Sequence, residues 1–191
     1  LRFLVFTMFG TIFLGIYFPT RYTSVERGEK LEMIGLRRDN LIPALAISAL
    51  VLAGFLFVGP RFGWESVEPG ALLSHIFIGV TTFWQAFFVY SWLQMRYDKA
   101  FGGIPSILLA GASYALFHVG SVPPEELLPL LLFGLGMALL FRLTKNILVV
   151  WPLAWIISAL FGSMGAAEFT PPDIILAFVI LAIQLFTFNW V

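Results

Sequence analysis

The stretch Leu41–Val58, LIPALAISALVLAGFLFV, follows a charged segment and runs to Gly59 without a single charged side chain. It is too long for a buried strand and lacks the two-residue alternation of a half-exposed one. It is apolar all round, so it reads as a helix with no water-facing side. At about 1.5 Å of rise per residue, roughly 20 such residues cross the ~30 Å hydrocarbon core of a bilayer. The pattern recurs on either side. Working outward, Phe3–Thr20 precedes it, and Ala71–Met95, Gly103–Val119, Leu127–Leu143, Ile147–Phe161 and Ile174–Trp190 follow. The predicted fold class is therefore all-α, a polytopic transmembrane helical bundle of about seven spans, forming a single membrane domain over residues 1–191.

Composition agrees. Of 191 residues, 60% are hydrophobic and only 12% charged, and the mean hydropathy is +0.94. A soluble domain is nearer ~45–50% apolar, so the excess faces lipid. Net charge is zero, which excludes nucleic acid as a partner class, because phosphate binding needs a positive excess. With no cysteine, disulfides, thiolate metal sites and a cysteine nucleophile are excluded. The first residue is Leu1 rather than Met, so the sequence is expected to begin inside a longer one, and the first span is read as a membrane helix rather than a signal peptide.

The charges test the helix count. Arg21, Arg27, Lys30, Arg37 and Arg38 fall between spans one and two, Arg96 and Lys99 between three and four, and Arg142 and Lys145 between five and six. Arg2 and Arg61 are alone on the opposite side, whose loops carry Glu65, Glu68, Glu125, Glu126, Glu168 and Asp173. Basic residues mark the cytoplasmic face, so the N-terminus is predicted outside and the C-terminus cytoplasmic. Trp64, Trp92, Trp151 and Trp190 are expected as interfacial anchors. In the longest loop, Leu31, Ile34 and Leu36 suit a short helix lying on the cytoplasmic surface. Gly111 and Ala115 give span four a small-residue face for close helix packing. Among the prolines, Pro152 is the one placed to bend a helix.

Several segments in order resemble one family. These are Met33–Arg38 (MIGLRR) before a span; Phe87–Phe88 through Trp92–Leu93–Gln94 and Phe101–Gly102–Gly103; Tyr114–Ala115–Leu116–Phe117–His118; and Gly134–Leu135–Gly136 with Thr144–Leu148 and Pro152. Together they resemble the CPBP family, the CAAX-prenyl-protease and bacteriocin-processing membrane proteins, over residues 31–162. Residues 1–30 are then an added N-terminal span and loop, and 163–191 an added C-terminal span. The resemblance implies a prokaryotic inner membrane and an intramembrane protease whose motifs, EExxxR, FxxxH and HxxxN, supply two glutamates, an arginine, two histidines and an asparagine. Amide hydrolysis needs such a base for water and donors for the oxyanion.

At the matching positions this chain has Gln85 and Ala86 for the glutamates and Tyr90 for the arginine. Tyr114 and His118 stand in the second motif, and Trp155 and Ala159 in the third. No register restores the set, because no acidic residue lies between Glu68 and Asp98 and no histidine follows His118. The expectation is a protein with no catalytic residues, a non-catalytic relative of the family. It would serve as a scaffold or partner-binding subunit of a membrane complex, in contact with lipid and other integral membrane chains. An active endopeptidase built around His118 and a small-solute transporter are the alternatives. The second is disfavoured by the lack of charge within the spans.

His118 is the ligand-binding candidate, a leftover catalytic group or a ligand to a pigment metal; otherwise it is bonded to a backbone carbonyl or water. His75 carries the same alternatives. No metal site or cofactor is predicted, since the two histidines would need Glu125 or Glu126 to complete a ligand set. The 21 phenylalanines and 6 tryptophans suit plain lipid-facing surfaces as well as a bound lipid, isoprenoid or pigment, and composition does not separate the two. Gln85, mid-span, is expected to bond across to Tyr90 or Tyr114, filling the former active site with a polar cluster.

Overall fold

The computed structural model describes residues 5–59, 67–79, 81, 83–164 and 170–189, and every regular element among them is helical. Their one β-contact is an isolated bridge between Val119 and Val122. Helix α1 runs unbroken through Val5–Tyr17, Phe18–Arg21 and Tyr22–Glu26. Then follow α2 (Leu41–Val58), α3 (Pro69–Gly79), α4 (Phe83–Phe101), α5 (Gly103–Phe117), α6 (Leu127–Thr144), α7 (Trp151–Met164) and α8 (Pro171–Asn189). Val5–Tyr17 of α1 and Phe87–Leu93 of α4 are wound as π-helix, with bonds to the fifth residue rather than the fourth.

The helix ends follow local chemistry. At the start of α8 the Thr170 N–H and hydroxyl both donate to Asp173 Oδ2, at 2.8 and 2.7 Å. Pro171 and Pro172 stand where no amide partner is needed. Helix α6 stops where Lys145 turns left-handed (φ 52°) and its N–H bonds back to Phe141 O at 2.6 Å, a carbonyl cap usually given to glycine.

Among the described residues, two helices are long and apolar enough to cross a bilayer, Leu41–Val58 and Pro124–Thr144. The pair α3–α4, bent by 56°, passes the same test only when taken together as one broken span, while Gly103–Phe117, Ile147–Phe161 and Pro171–Thr187 are apolar but shorter. A helical membrane bundle is thus supported by length and composition. Helix α2 matches its expected bounds, but the expected continuous span Ala71–Met95 is two helices. Pro152 does not bend a span. It is the second residue of α7, which restarts at Trp151 after the tight turn Ile147–Val149, so its missing amide falls among groups without an intrahelical partner. Nor do Leu31–Ile34 form a surface helix. They make one 3₁₀ turn whose Ile34 is fully buried. Arg2, Arg61, Trp64, Glu65, Glu168 and Trp190 lie outside the described residues.

The core sits where α4, α6 and α7 meet, around Phe87, Tyr90, Ala138, Phe141 and Leu153, all without exposed surface. Helices α5 and α6 approach closely through their glycines. A Cβ on Gly111 would come 2.6 Å from Leu135, and one on Gly134 2.9 Å from Gly111 O. The small-residue face of α5 therefore packs within the chain, as expected. Helix α2 contributes little, burying Ala44 and Ser48 while Ile42, Leu50 and Phe57 are more than 70% exposed. In lipid such exposure carries no hydrophobic penalty; close packing and hydrogen bonds hold the helices instead.

At one end of the bundle the basic loops converge. Glu29 pairs with Arg96 (2.9 Å) and Lys99 (2.6 Å), and Asp98 with Arg142 (3.4 Å) and Lys145 (2.6 Å). Arg96 also lies over the Tyr22 ring, 5.2 Å from its centre. Beside them the fully buried Asn146 donates to Arg37 O (2.9 Å) and Asn40 Oδ1 (2.8 Å) and accepts from Leu148 N–H (3.0 Å). Ile147 N–H bonds Gly35 O at 2.9 Å. The MIGLRR and TKNIL segments are thereby stitched together.

Candidate functional site

The matching positions divide between two faces of α4. Ala86 and Tyr90 point into the core, where the Tyr90 ring stacks on Tyr114 of α5 with centroids 5.8 Å apart. Tyr114 in turn touches His118 (4.8 Å) and Phe133 (5.5 Å), and its hydroxyl faces Ser158 of α7. Ala159, one residue on, is buried. Trp155 stacks on Trp151 at 5.6 Å and donates its indole N–H to Ile76 O at 2.5 Å. Gly79 is what admits it, since a Cβ there would lie 2.9 Å from the indole. The site is a plug of rings joining α3, α4, α5 and α7.

Gln85 is not part of it. It points to the other face of α4, toward α1, and makes no hydrogen bond to Tyr90 or Tyr114; its Nε2 is buried without any partner, as is the Tyr90 hydroxyl. The expected polar cluster is therefore absent at these residues. The reason is spacing. Gln85 is five residues from Tyr90, about 140° around an α-helix, whereas Ala86, four residues away, shares the core face with Tyr90.

Both histidines are engaged locally. His118 Nδ1 lies 2.8 Å from Tyr114 O, and His75 Nδ1 2.9 Å from Ala71 O. A carbonyl only accepts, so the proton sits on Nδ1 in each ring. Of the readings open for His118, the backbone-bonded one is what the geometry displays. Glu125 and Glu126 belong to an exposed turn before α6. Among the described residues no three His, Cys, Asp or Glu side chains gather as a metal would require. Ser113 donates to Leu109 O (2.7 Å), a helix-internal bond that leaves it no base.

Sequence reasoning missed the cleft that Gln85 does face. It is a hollow of about 210 Å³ between α1, α4 and α5, walled by Gly15, Trp84, Phe88, Leu93 and Phe117. Gly15 was the available signal, because its Cα packs so near Trp84 that a Cβ would come within 2.8 Å. Also missed were three buried polar ties. Gln94 donates to Ala138 O (2.8 Å), Ser91 to Ile34 O, and Asn146 acts as the hub described above. Comparison with family models, with curated proteins and with solved structures gives no match in any of the three.

Proposed function

We propose that the chain is a non-catalytic integral membrane protein, a degenerate relative of the CPBP family that serves as a scaffold or partner-binding subunit within the bilayer. The observation that carries this reading is the ring plug. On that resemblance Tyr90 and Trp155 stand at the positions of the family's arginine and one of its histidines, and Tyr114, at the phenylalanine position of the second motif, stacks on Tyr90. No carboxylate stands among them, and the one imidazole spends its proton on a helix carbonyl. The Nδ1–H bond leaves His118 Nε2 as the one nitrogen that could take a proton from water there, with no carboxylate or second histidine among the described residues beside it to complete the family's catalytic set.

Seven crossings are part of the proposal. The loops after α1, α4 and α6 meet through the Glu29, Asp98 and Asn146 contacts, which supports an out-and-back path for each helix pair between them. Helices α3 and α4 together make one broken crossing. The basic end is then cytoplasmic, with the N-terminus outside and the C-terminus inside, in a prokaryotic inner membrane. The exposed apolar flank of α2 is available to lipid or to another membrane chain.

Two measurements test the reading. Prenylated or leader-type peptides incubated with the pure protein should be cleaved no faster than with His118→Ala; cleavage abolished by that substitution would establish an active endopeptidase instead. Purification in mild detergent should bring down a stoichiometric membrane partner identifiable by mass spectrometry. A clean monomer would count against scaffolding.

A further inference from the structure

We propose that Arg21 and Arg38 dock the phosphate of an anionic phospholipid in the leaflet at the basic end of the bundle. Of the nine basic residues gathered there, five are spent on carboxylates within the chain. Arg37 pairs with Asp39, Arg96 and Lys99 with Glu29, and Arg142 and Lys145 with Asp98. Arg21, Arg27, Lys30 and Arg38 have no carboxylate partner among the described residues. The acids left over on the same segment are Glu26 and Glu32, both exposed, so four cations face two anions. The excess is left for a charge from outside the chain.

Placement selects the class of that charge. Phe13, Leu14 and Phe18 give α1 an exposed apolar flank, and Arg21 follows Phe18 by three residues, one turn further along the same side. Arg38 comes just before α2, whose first turns expose Ile42 and Leu45. Each of these arginines thus heads an apolar flank that no described part of the chain covers, where acyl chains lie in a bilayer. Depth agrees. Tyr22, next to Arg21, packs edge to face on Trp92 at 6.1 Å, and such rings collect at the headgroup level. Between the two arginines Val25 and Met33 are exposed, apolar side chains that suit a lipid interface and gain nothing from a free phosphate. A guanidinium takes a phosphate through two parallel N–H bonds. A zwitterionic headgroup brings its own cation, so the anionic one answers the excess.

The probe is dioleoyl phosphatidylglycerol, titrated into the purified full chain in mild detergent and read as lipid retained in native mass spectrometry. Dioleoyl phosphatidylcholine, with the same tails, is the reference. Wild type should retain phosphatidylglycerol in preference. Arg21→Gln and Arg38→Gln should each lower that preference about five-fold, the equivalent of ~1 kcal/mol for a basic side chain at an anionic surface. Lys99→Gln removes the same charge from a side chain already paired with Glu29, and should leave the preference near its wild-type value. Equal retention of the two lipids, an unchanged preference in the Arg21→Gln, Arg38→Gln double variant, or an equal fall in Lys99→Gln would overturn the proposal. So would displacement of the lipid by inorganic phosphate but not by chloride of equal ionic strength, the mark of a soluble-anion site. A benzoylphenylalanine in place of Val25 that crosslinks a polypeptide rather than lipid in native membranes would do the same. The proposal rests on the chain being a membrane protein. A chain that stays folded and dispersed once detergent is removed would end that reading, whereas a membrane-bound chain without lipid preference would end this one alone.

Discussion

Asn146 shows what one buried polar residue does in this bundle. Its side chain meets the Arg37 carbonyl, the Asn40 amide and the Leu148 N–H, with none of its surface exposed. Asn146→Ala would strand these groups where little water reaches, at about 1–3 kcal/mol for each one left unmet. The expected outcome is a loss of at least about 2 kcal/mol in detergent unfolding, larger than for His118→Ala, whose side chain makes one helix-internal bond. Equal losses would show that the hub is not what holds the two segments together. Gly35, opposite, is constrained twice. Its φ of +83° is left-handed, and a Cβ would meet the Phe141 ring at 2.6 Å. Gly35→Ala should therefore destabilise by about 1–3 kcal/mol, and Phe141→Leu, which shrinks the obstructing ring, should recover part of that in the double variant.

Between elements, contact is made by missing atoms in one place and by charge in another. The α5–α6 seam relies on Gly111 and Gly134. Gly134→Ala forces its methyl against a backbone oxygen that cannot rotate away, so it should cost about 1–3 kcal/mol in thermal unfolding, whereas Gly136→Ala, with open space beside it, should cost less than about 1 kcal/mol. At the basic end, Glu29 fastens α1 to α4. The Lys99 hydrogen bond holds its carboxyl below the usual carboxylate range, burial works against this, and Arg96 adds to the lowering. A carboxyl with a depressed folded pKa contributes stability that is complete above its unfolded pKa and lost as pH falls through the folded one. Melting temperature should thus be level near neutrality and decline below about pH 4.5, with Glu29→Gln shallower over that acid window; parallel curves would remove Glu29 from the account. How much of this was legible follows from the physics. The bounds of α2 were, because a charge-free run between a charged segment and a glycine leaves one solution. The α3–α4 bend was not, since the apolar run passes through it without a proline. The Gln85 contact was misplaced because a five-residue separation does not return a side chain to the same helix face, while the four-residue separation of Ala86 from Tyr90 does.

For the whole molecule the decisive property is the separation of charge. Nine basic residues stand on the segments gathered by Glu29, Asp98 and Asn146, while Arg2 and Arg61, which the sequence reading assigns to the other side, lie outside the described residues. That asymmetry orients membrane proteins, and it is meaningful only if the described helices alternate through a bilayer. The chain contains no cysteine, so single cysteines can report on sidedness without background. Lys30→Cys sits on the segment after α1 and Lys99→Cys in the last turn of α4, and both native side chains are exposed. Glu68→Cys and Glu125→Cys sit before α3 and α6, at the opposite helix ends. In sealed inside-out vesicles an impermeant maleimide should label the first pair, and in intact cells the second, with all four reacting in detergent. Because Lys30 and Lys99 are separated by α2, α3 and α4, their labelling from one side requires those three helices to make an even number of crossings. Labelling of Lys30 and Lys99 from opposite sides would mean that α3 and α4 are two crossings or none, and the seven-span path would give way to a different topology.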